Sequence, residues 1–511
     1  MLLSNQSDKF QVAWFQRFCV DEVWQLADFR KILFEDAICP AIVVKASAGK
    51  PDVPTAEMDY YTPKAQRVDP RQASIVVSAD DRKPLALADL LTAAVNDRAF
   101  MFWKVPFWGT GRDSRLIERL GRMPTLGELA GKPSERKRWV KGQGFQPCSA
   151  STKKPKPIFW KEDDWYIDAK RTRFAVLLTT DDCVHIGNRF QDGLHRPRDS
   201  RIYQSPLVLV NQGCSRFAFC DFDVLFQHSL QSISGLTEDA DLLLLLTAVL
   251  NSPLATYYLF HTSANWGVER DKVHLEELLQ LPFPLPERTK DVVVSRHLVQ
   301  QIAARLRQAK AEITAAGIHP DKRDDARRRA VHDTNELVYR YYDLTEWERW
   351  LVEDTVDIFE PSATPASLHS KSLFTLKPST LDDRRVYADL LCGTISRWAE
   401  RSPYQLAGAT VLAEREGVAL LTLTKVPRGG PAVDYREREP TPELTQLIER
   451  VARASVREGL GGLRFLRGFA LFEERQVHIL KPLAVQHWTR TAALNDADEL
   501  ALYIANMGQS D

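Results

Sequence analysis

RIYQSPLVLVNQG, residues 201–213, sets the frame for the rest of the chain. Within it Leu207, Val208, Leu209 and Val210 form a short run rich in β-branched side chains, bounded by Pro206 and Gly213, which is the pattern of a buried strand. Downstream lie RFAFCDFDVLF (216–226), the acidic and apolar TEDADLLLLLTAVLNSPLATYYLFHTS (237–263) and DKVHLEELLQLPFPLP (271–286). The pattern predicts strands feeding one helix of about 20 residues between Ala240 and Phe260. A short helix should follow and stop at Pro282, because the residue before a proline is driven out of the helical region. A strand pair braced by a helix, with polar loops on both sides, presents loops to a partner. That suits a recognition module better than a self-contained catalyst.

A chain of 511 residues can bury several cores, and about three domains are expected from its length. Its hydrophobic fraction of 44% and charged fraction of 27% are those of an ordinary globular protein. Sixty-eight basic residues balance 68 acidic ones, so attraction to nucleic acid must come from local asymmetry. The seven cysteines, at 19, 39, 148, 183, 214, 220 and 392, include no CxxC pair; reduced, mostly buried thiols and a cytoplasmic protein are expected. MLLSNQSDKFQ lacks the basic and apolar regions of a secretion signal. Asp241, Asn251 and Pro253 within the apolar stretch argue for a buried helix over a membrane span.

The expected fold class is α/β plus α+β. In residues 1–48 a turn or short helix from Gln11 to Phe18 precedes strand VDEVWQL, helix DFRKILF and strand ICPAIVVKAS, which resembles one edge unit of an α/β sheet. Fewer than about 50 residues is too little for a full βαβαβ cofactor domain, so this reads as the end of a domain that begins elsewhere. Residues 49–130 read as linker and packing segment: a loop from Gly49 to Pro70, a strand QASIVVSAD, a helix opening near Leu85, and the aromatic RAFMFWKVPFWGTG as a core patch. SRLIERLGRMPTLGELAG should be a helix broken at Gly121. Residues 131–288 hold the recognition scaffold, and 289–360 are helical. Asp291 to Ala316 carries apolar Val294, Leu298, Ile302, Leu306 and Ala309 at helical spacing, HPDKRDDARRR reads as a charged connector, and Thr345 with Glu348 makes a capping-box start. Beyond PSATPASLHSKS, residues 373–511 read as a small α+β domain. Its elements are a helix VYADLLCGTISRWAE, two strands in VLAEREGVALLTLTKVP, a helix TPELTQLIERVARASV, and two further strands with a hairpin at Glu473 and Glu474 before a last helix.

Charge changes sign between Gly131 and Arg173. Lys132, Arg136, Lys137, Arg138, Lys141, Lys153, Lys154, Lys156, Lys161, Lys170, Arg171 and Arg173 face only five acids, an excess of seven. A solvated basic face is the default for such a run. Loop glycines in WVKGQGFQP and the aromatics of IFWKEDDWYI tilt the reading toward DNA phosphate. RFQDGLHRPRDSR continues the pattern with Arg189, Arg196, Arg198 and Arg201. Two basic loops flanking one scaffold would grip a duplex on two sides. Lys137, Arg138, Lys141, Lys153, Lys154, Lys156, Arg196, Arg198 and Arg201 are expected to position phosphate. Asn188, Arg189, Gln191 and Asn211 are expected at base edges, since arginine pairs with guanine and Asn or Gln with adenine.

Motifs for chemistry are missing. No glycine-rich turn follows the first strand with an acid for a ribose, as SAM would need, and no Asn or Asp precedes two prolines and an aromatic, as adenine N6 methylation would need. The GxG patterns at 109/111 and 142/144 read as turns. His185, the His332–Asp333 pair, and Asp221 with Asp223 lack converging partners, so no catalytic and no metal residue is assigned.

Residues 7–44, SDKFQVAWFQRFCVDEVWQLADFRKILFEDAICPAIVV, resemble the last strands of the catalytic domain of large adenine-N6 DNA methyltransferases of restriction-modification and phage-defence systems. NQGCSRFAF, LLLLLTAVLNSPLATYYLFHTS and HLEELLQLPFPLP resemble that family's target-recognition domain. NELVYRYYDLTEWERWLVEDTV is similar to its tyrosine-rich helix pair. Together these cover roughly residues 1–360. The resemblance implies an incomplete edge of a methyltransferase-like sheet in 1–48 and a DNA target-recognition domain in 131–288. The family's SAM loop and Asn-Pro-Pro-Tyr match no position here, so no catalytic residue carries over. A recognition component of a split methyltransferase is therefore expected, with double-stranded DNA as ligand. SAM would sit on a separate methyltransferase-like subunit rather than on this chain alone, and further defence-system proteins are possible partners. The alternatives are a structural or adaptor subunit of a defence complex that binds protein or RNA, and an autonomous enzyme of unfamiliar type.

Overall fold

The computed structural model describes residues 2–3, 7–33, 40–69, 72–96, 98–149, 152–168, 176–269, 272–315, 319–363, 376–413, 417–429, 435–437, 442, 446, 450, 456–458, 463–466 and 469–507. The architecture is mixed α and β, with several sheets and helical regions, in two compact units. One gathers residues 1–111, 267–270 and 350–511; the other gathers 112–266 and 271–349.

In the second unit the Leu207–Asn211 strand lies in a five-stranded sheet. The order is Phe217–Cys220, Leu207–Asn211, Leu230–Ser234, Trp139–Gln143, Ala130–Gly131. Leu207 through Val210 are completely buried, and the strand is antiparallel to both neighbours. A run that does not alternate needs cover on both faces of its sheet. Leu207, Leu209, Ala218 and Cys220 point into a cluster built on Phe145, Tyr166, Tyr203 and Phe226. The Ala240–Leu250 helix packs over the same two strands, and the side-chain alternation directs Val208 and Val210 to the face opposite the aromatic cluster. That helix is in turn covered by the Val292–Thr314 and Pro320–Tyr341 helices, which explains why it is apolar all round.

The single helix expected from Ala240 to Phe260 is two, Ala240–Leu250 and Pro253–Thr262, bent by 65°. Pro253 cannot donate a backbone hydrogen bond, and Ser252 Oγ accepts from the Ala255 N–H, so a new helix starts there. Among the described residues no single helix is long and apolar enough to cross a membrane. HPDKRDDARRR is not a connector; it is the first half of the Pro320–Tyr341 helix, begun by a His319 cap and Pro320. Its buried Arg327 donates to Asp182 at 2.6 Å and to the Leu177 carbonyl at 3.1 Å, and Arg323 reaches Asp181 at 2.8 Å. WVKGQGFQP, read as a turn, holds the Trp139–Gln143 strand. Glycine is required at Gly144, where a Cβ would sit 2.3 Å from the Phe226 carbonyl oxygen. The Thr345 and Glu348 side chains make the expected reciprocal cap.

The first unit contains a four-stranded sheet in the order Ile42–Ala48, Phe18–Gln25, Glu57–Tyr61, Arg82–Ala86. The first pair is antiparallel, and Glu57–Tyr61 runs parallel to Phe18–Gln25. Strands thus occupy part of the Gly49–Pro70 stretch read as a loop, where Ala65–Asp69 is also extended. Leu85 lies in the Arg82–Ala86 strand, and the helix opens at Leu87. One sheet face carries the ion pairs Glu22–Lys45 and Asp59–Arg82 and a stacked Trp24–Tyr61 pair at 4.2 Å. The other buries Val23 and Tyr60 toward the aromatic Ala99–Trp108 helix, whose Trp103 donates to Gln11 at 2.7 Å. RAFMFWKVPFWGTG is therefore core, as expected. A second five-stranded sheet, built around the long hairpin Tyr404–Ala413 and Val418–Pro427, packs on the Leu381–Trp398 and Arg490–Met507 helices. Within the same unit Leu463–Phe465 pairs parallel with Ile75–Val77, and His487 Nδ1 lies 3.0 Å from Asp80. The expected helix 441–456 falls largely outside the described residues.

Lys64 is buried in this unit. Its ammonium donates to the Thr62 carbonyl at 2.6 Å and lies 4.3 Å from the centre of the Phe107 ring. Burial, with repulsion from Lys83, pushes its pKa down to about 7 against the pull of Asp81 and Asp28, whereas the unfolded chain holds lysine near ~10.4. Between those values the unfolded state binds more protons, so this group makes stability rise with pH; below pH 7 both states are protonated and it adds no slope. Lys64→Met is expected to remove a rise on the order of 1 kcal/mol per pH unit, read from urea midpoints between pH 7 and 9. Equal slopes in the two proteins would refute the assignment.

Candidate nucleic-acid interface

The candidate surface is built from loops that leave and rejoin the five-stranded sheet. Trp165–Ile167 pairs with Val184–His185 and Leu225–Phe226, and Leu194–Arg196 pairs with Gln146–Pro147. Between these short ladders runs the segment 152–161. Lys156 and Leu194 exchange both backbone hydrogen bonds at 2.8 Å, and Asp164 accepts from the Lys161 N–H at 2.9 Å. Gly193 adopts φ +92°, and a Cβ there would meet the Lys156 carbonyl oxygen at 2.7 Å, so only glycine lets the two segments approach this closely. Trp160 turns inward against Phe145 at 4.7 Å. Lys153, Lys154, Lys156, Ile158 and Phe159 are left exposed.

The structure divides the thirteen candidate residues. Arg138 is held by Asp239, with contacts of 2.5, 3.0 and 3.1 Å. Asp239 is buried and also accepts from Trp139 Nε1 at 2.9 Å; hydrogen bonding to it raises the Arg138 pKa. Arg201 is paired with Asp199 at 2.9 Å and donates to the Pro133 carbonyl, and Arg198 donates to the Gly144 carbonyl at 3.3 Å. Arg189 donates to the His185 and Ile186 carbonyls. Asn211 closes a turn, its Oδ1 accepting from the Ser215 and Arg216 N–H groups. Lys141 lies on the Trp139–Gln143 strand with its pKa lowered by burial, and Lys137 faces Glu135 at 3.6 Å. Asn188 and Gln191 are exposed and bond each other at 3.2 Å. Lys153, Lys154, Lys156 and Arg196 are exposed and pair with no carboxylate among the described residues. Lys170, Arg171 and Arg173 lie outside those residues.

The two basic loops do not flank the scaffold on opposite sides. The Lys156–Leu194 ladder and a contact between the Phe159 and Tyr203 rings, 5.5 Å apart, join them into one surface. Sequence reasoning missed Phe159 as an exposed ring; its signal was its place between lysines, one residue before a buried tryptophan. It also missed the Trp165–His185 stack at 4.2 Å, in which His185 Nδ1 lies 2.6 Å from the Asp163 carbonyl oxygen. The six described cysteines are free, and burial pushes the Cys183 and Cys214 thiols up to about 12. Among the described residues no group of three or more His, Cys, Asp or Glu side chains converges as a metal site would require.

No family model matches the chain, and no curated protein matches it. Among solved structures it is weakly similar to the type IIG restriction endonuclease BpuSI, with 11% identity and a TM-score of 0.28 over 67% of this chain and 46% of that one. It is also weakly similar to the HsdS subunit from Thermoanaerobacter tengcongensis, with 11% identity and a TM-score of 0.17 over 51% of this chain and 59% of that one. The chain thus spans about half the length of the structures it aligns with.

Asp239 fastens the first basic strand to the start of the Ala240–Leu250 helix. Asp239→Ala strips partners from Arg138 and from the Trp139 indole; because the Arg138 guanidinium is partly solvated, the expected loss is about 2–3 kcal/mol, below that for a fully buried pair. Urea unfolding measures it, and a loss under half a kcal/mol would show that the pair is idle.

Proposed function

We propose that residues 131–288 are a DNA target-recognition domain and that the chain is the recognition component of a split adenine-N6 DNA methyltransferase in a restriction-modification or phage-defence system. A separate subunit supplies the SAM site and the catalytic motif that this sequence lacks. The observation that carries DNA binding is the exposed strip Lys153, Lys154 and Lys156 with Arg196 beside it. Acids elsewhere in the same unit are engaged by cations: Asp182 by Arg327, Asp239 by Arg138, Asp199 by Arg201, and Asp221 by Lys310. The strip itself, exposed and paired with no carboxylate among the described residues, is a positive patch on a balanced chain, which duplex phosphates recognise without regard to sequence. Asn188 and Gln191, exposed on the turn before the Leu194–Arg196 strand, are placed to read base edges.

The methyltransferase part of the reading draws on the resemblance, and the packing of its motifs is compatible with it. Tyr341 and Tyr342, from the tyrosine-rich helix motif, donate to the Pro284 and Pro282 carbonyls of the LPFPLP turn, each at 2.7 Å. Two stretches quoted separately for the resemblance thus form one piece of structure.

Duplex DNA binding by the full chain at two salt concentrations, beside single-stranded DNA and RNA, tests the first half. Replacing Lys153, Lys154 and Lys156 together by glutamine is expected to weaken binding to all duplex sequences alike and to reduce the salt slope by about 2–3, near 0.9 for each phosphate that is no longer neutralised. An unchanged slope removes these lysines from the interface. For the second half, labelled-methyl transfer should appear only when a co-expressed methyltransferase-like subunit is added. Co-purification of no such subunit from the host would count against the split enzyme.

A further inference from the structure

Phe159 is 42% exposed and Ile158 beside it 36% exposed, within a strip otherwise made of lysine and proline. The ring is not loose. It packs edge-on against Trp160 with centroids 5.1 Å apart and lies over Tyr203 at 5.5 Å. Trp160 rests on Phe145, and Tyr203 rests on Phe226 at 4.9 Å. Both of those rings are wholly buried, so an unbroken stack of aromatics connects Phe159 to the core of the domain. An aromatic side chain held from below, with few torsions left to lose, contacts another flat surface at small entropic cost.

The charges around it narrow the partner. Lys153, Lys154 and Lys156 precede the ring, and Lys161 follows it. Arg196 and Arg198 sit on the segment that the Lys156–Leu194 ladder and the Phe159–Tyr203 contact bring alongside. The exposed acids Glu162 and Asp163 come directly after Lys161, so the positive side of the ring is the lysine side. An exposed, backed aromatic between cations fits the stack of a nucleic acid better than an apolar protein face, which would leave those cations unpaired at its centre.

We propose that Phe159 is a wedge that enters a base step of duplex DNA and partly unstacks it while the flanking lysines hold the phosphates. This rests on the DNA-binding reading above and adds to it a deformation of the duplex at the point of contact. The bound DNA is then untwisted, and the energy of deforming a given step contributes to selectivity at base pairs that no polar side chain touches.

The probe is closed-circular plasmid DNA relaxed by a topoisomerase in the presence of the full chain, with binding measured on the same plasmid. Wild-type protein is expected to lower the linking number. Phe159→Ala should abolish that change while weakening binding on the order of tenfold, the effect of losing one stacked aromatic. Phe159→Trp should restore the change, and Ile158→Ala should leave it intact. Where the alanine variant melts early, Phe159→Gln, which keeps volume over Tyr203 without an aromatic face, replaces it. Wild-type protein that binds the plasmid with no change in linking number, or a Phe159→Ala protein that changes it as much as wild type, overturns the wedge and leaves DNA binding standing. No binding of wild type to the plasmid at low salt overturns the DNA-binding reading, and the wedge with it.

Discussion

A strand with no polar side to its pleat cannot lie on a surface, and the Leu207–Val210 run imposes that constraint on the unit of residues 112–266 and 271–349. Burying both faces of a sheet requires two layers of cover. The aromatic cluster around Phe145, Tyr203 and Phe226 is one, and the Ala240–Leu250 helix is the other. A helix used in this way becomes apolar all round and needs cover of its own, which the Val292–Thr314 and Pro320–Tyr341 helices provide. The loop carrying Lys153 to Phe159 and the segment from Leu194 to Tyr203 border the aromatic layer, to which Leu194, Ile202 and Tyr203 themselves contribute. Their positions are fixed because Trp160 and Tyr203 belong to that layer.

Electrostatics follows the same logic. Asp181, Asp182, Asp221 and Asp239 are each met by a cation from a distant part of the sequence: Arg323, Arg327, Lys310 and Arg138. Exposed pairs of this kind stabilise little, but the buried Arg327–Asp182 pair, with the Leu177 carbonyl as a further acceptor, ties the long charged helix to the β loops. Each pair takes up one cation for each acid, so the positive patch on a chain of zero net charge comes from the local excess of lysine at Lys153, Lys154 and Lys156.

Much of the fold was legible where the signal is local. The spacing of Leu298, Ile302, Leu306 and Ala309 marks a helix that the structure places within a residue or two of the expected ends, and Thr345 with Glu348 marks the next start. Non-local signals were not legible. HPDKRDDARRR reads as a connector because its stabilising partners, Asp181 and Asp182, are about 140 residues away. Gly142 and Gly144 suggest a turn because nothing in their neighbourhood announces that Ile202 and the Phe226 carbonyl press against them. The candidate interface divides in the same way. Exposure of Lys153, Lys154 and Lys156 follows from their proline-rich surroundings, whereas Asp239 lies 101 residues from Arg138, and only the folded chain discloses that this arginine has an internal partner.

The turn Pro282 to Pro286 shows how a segment without regular structure becomes rigid. A proline has no backbone donor, so the turn presents carbonyl oxygens that must be satisfied from elsewhere or left buried at a cost of about 1–3 kcal/mol each. Tyr341 and Tyr342 satisfy two of them, while Leu126 and Gly127 donate to the Leu281 and Leu279 carbonyls, and the Phe283 N–H finds Pro124. Phe283 packs its ring against Trp139, whose indole is bonded to Asp239. The chain of contacts therefore runs from the tyrosine pair, through the proline turn, to the strand that opens the basic segment. The DNA-binding role proposed above asks that the loops be held against the pull of phosphates, and a scaffold fastened by buried hydrogen bonds resists such a pull better than apolar packing alone, because each bond has one geometry.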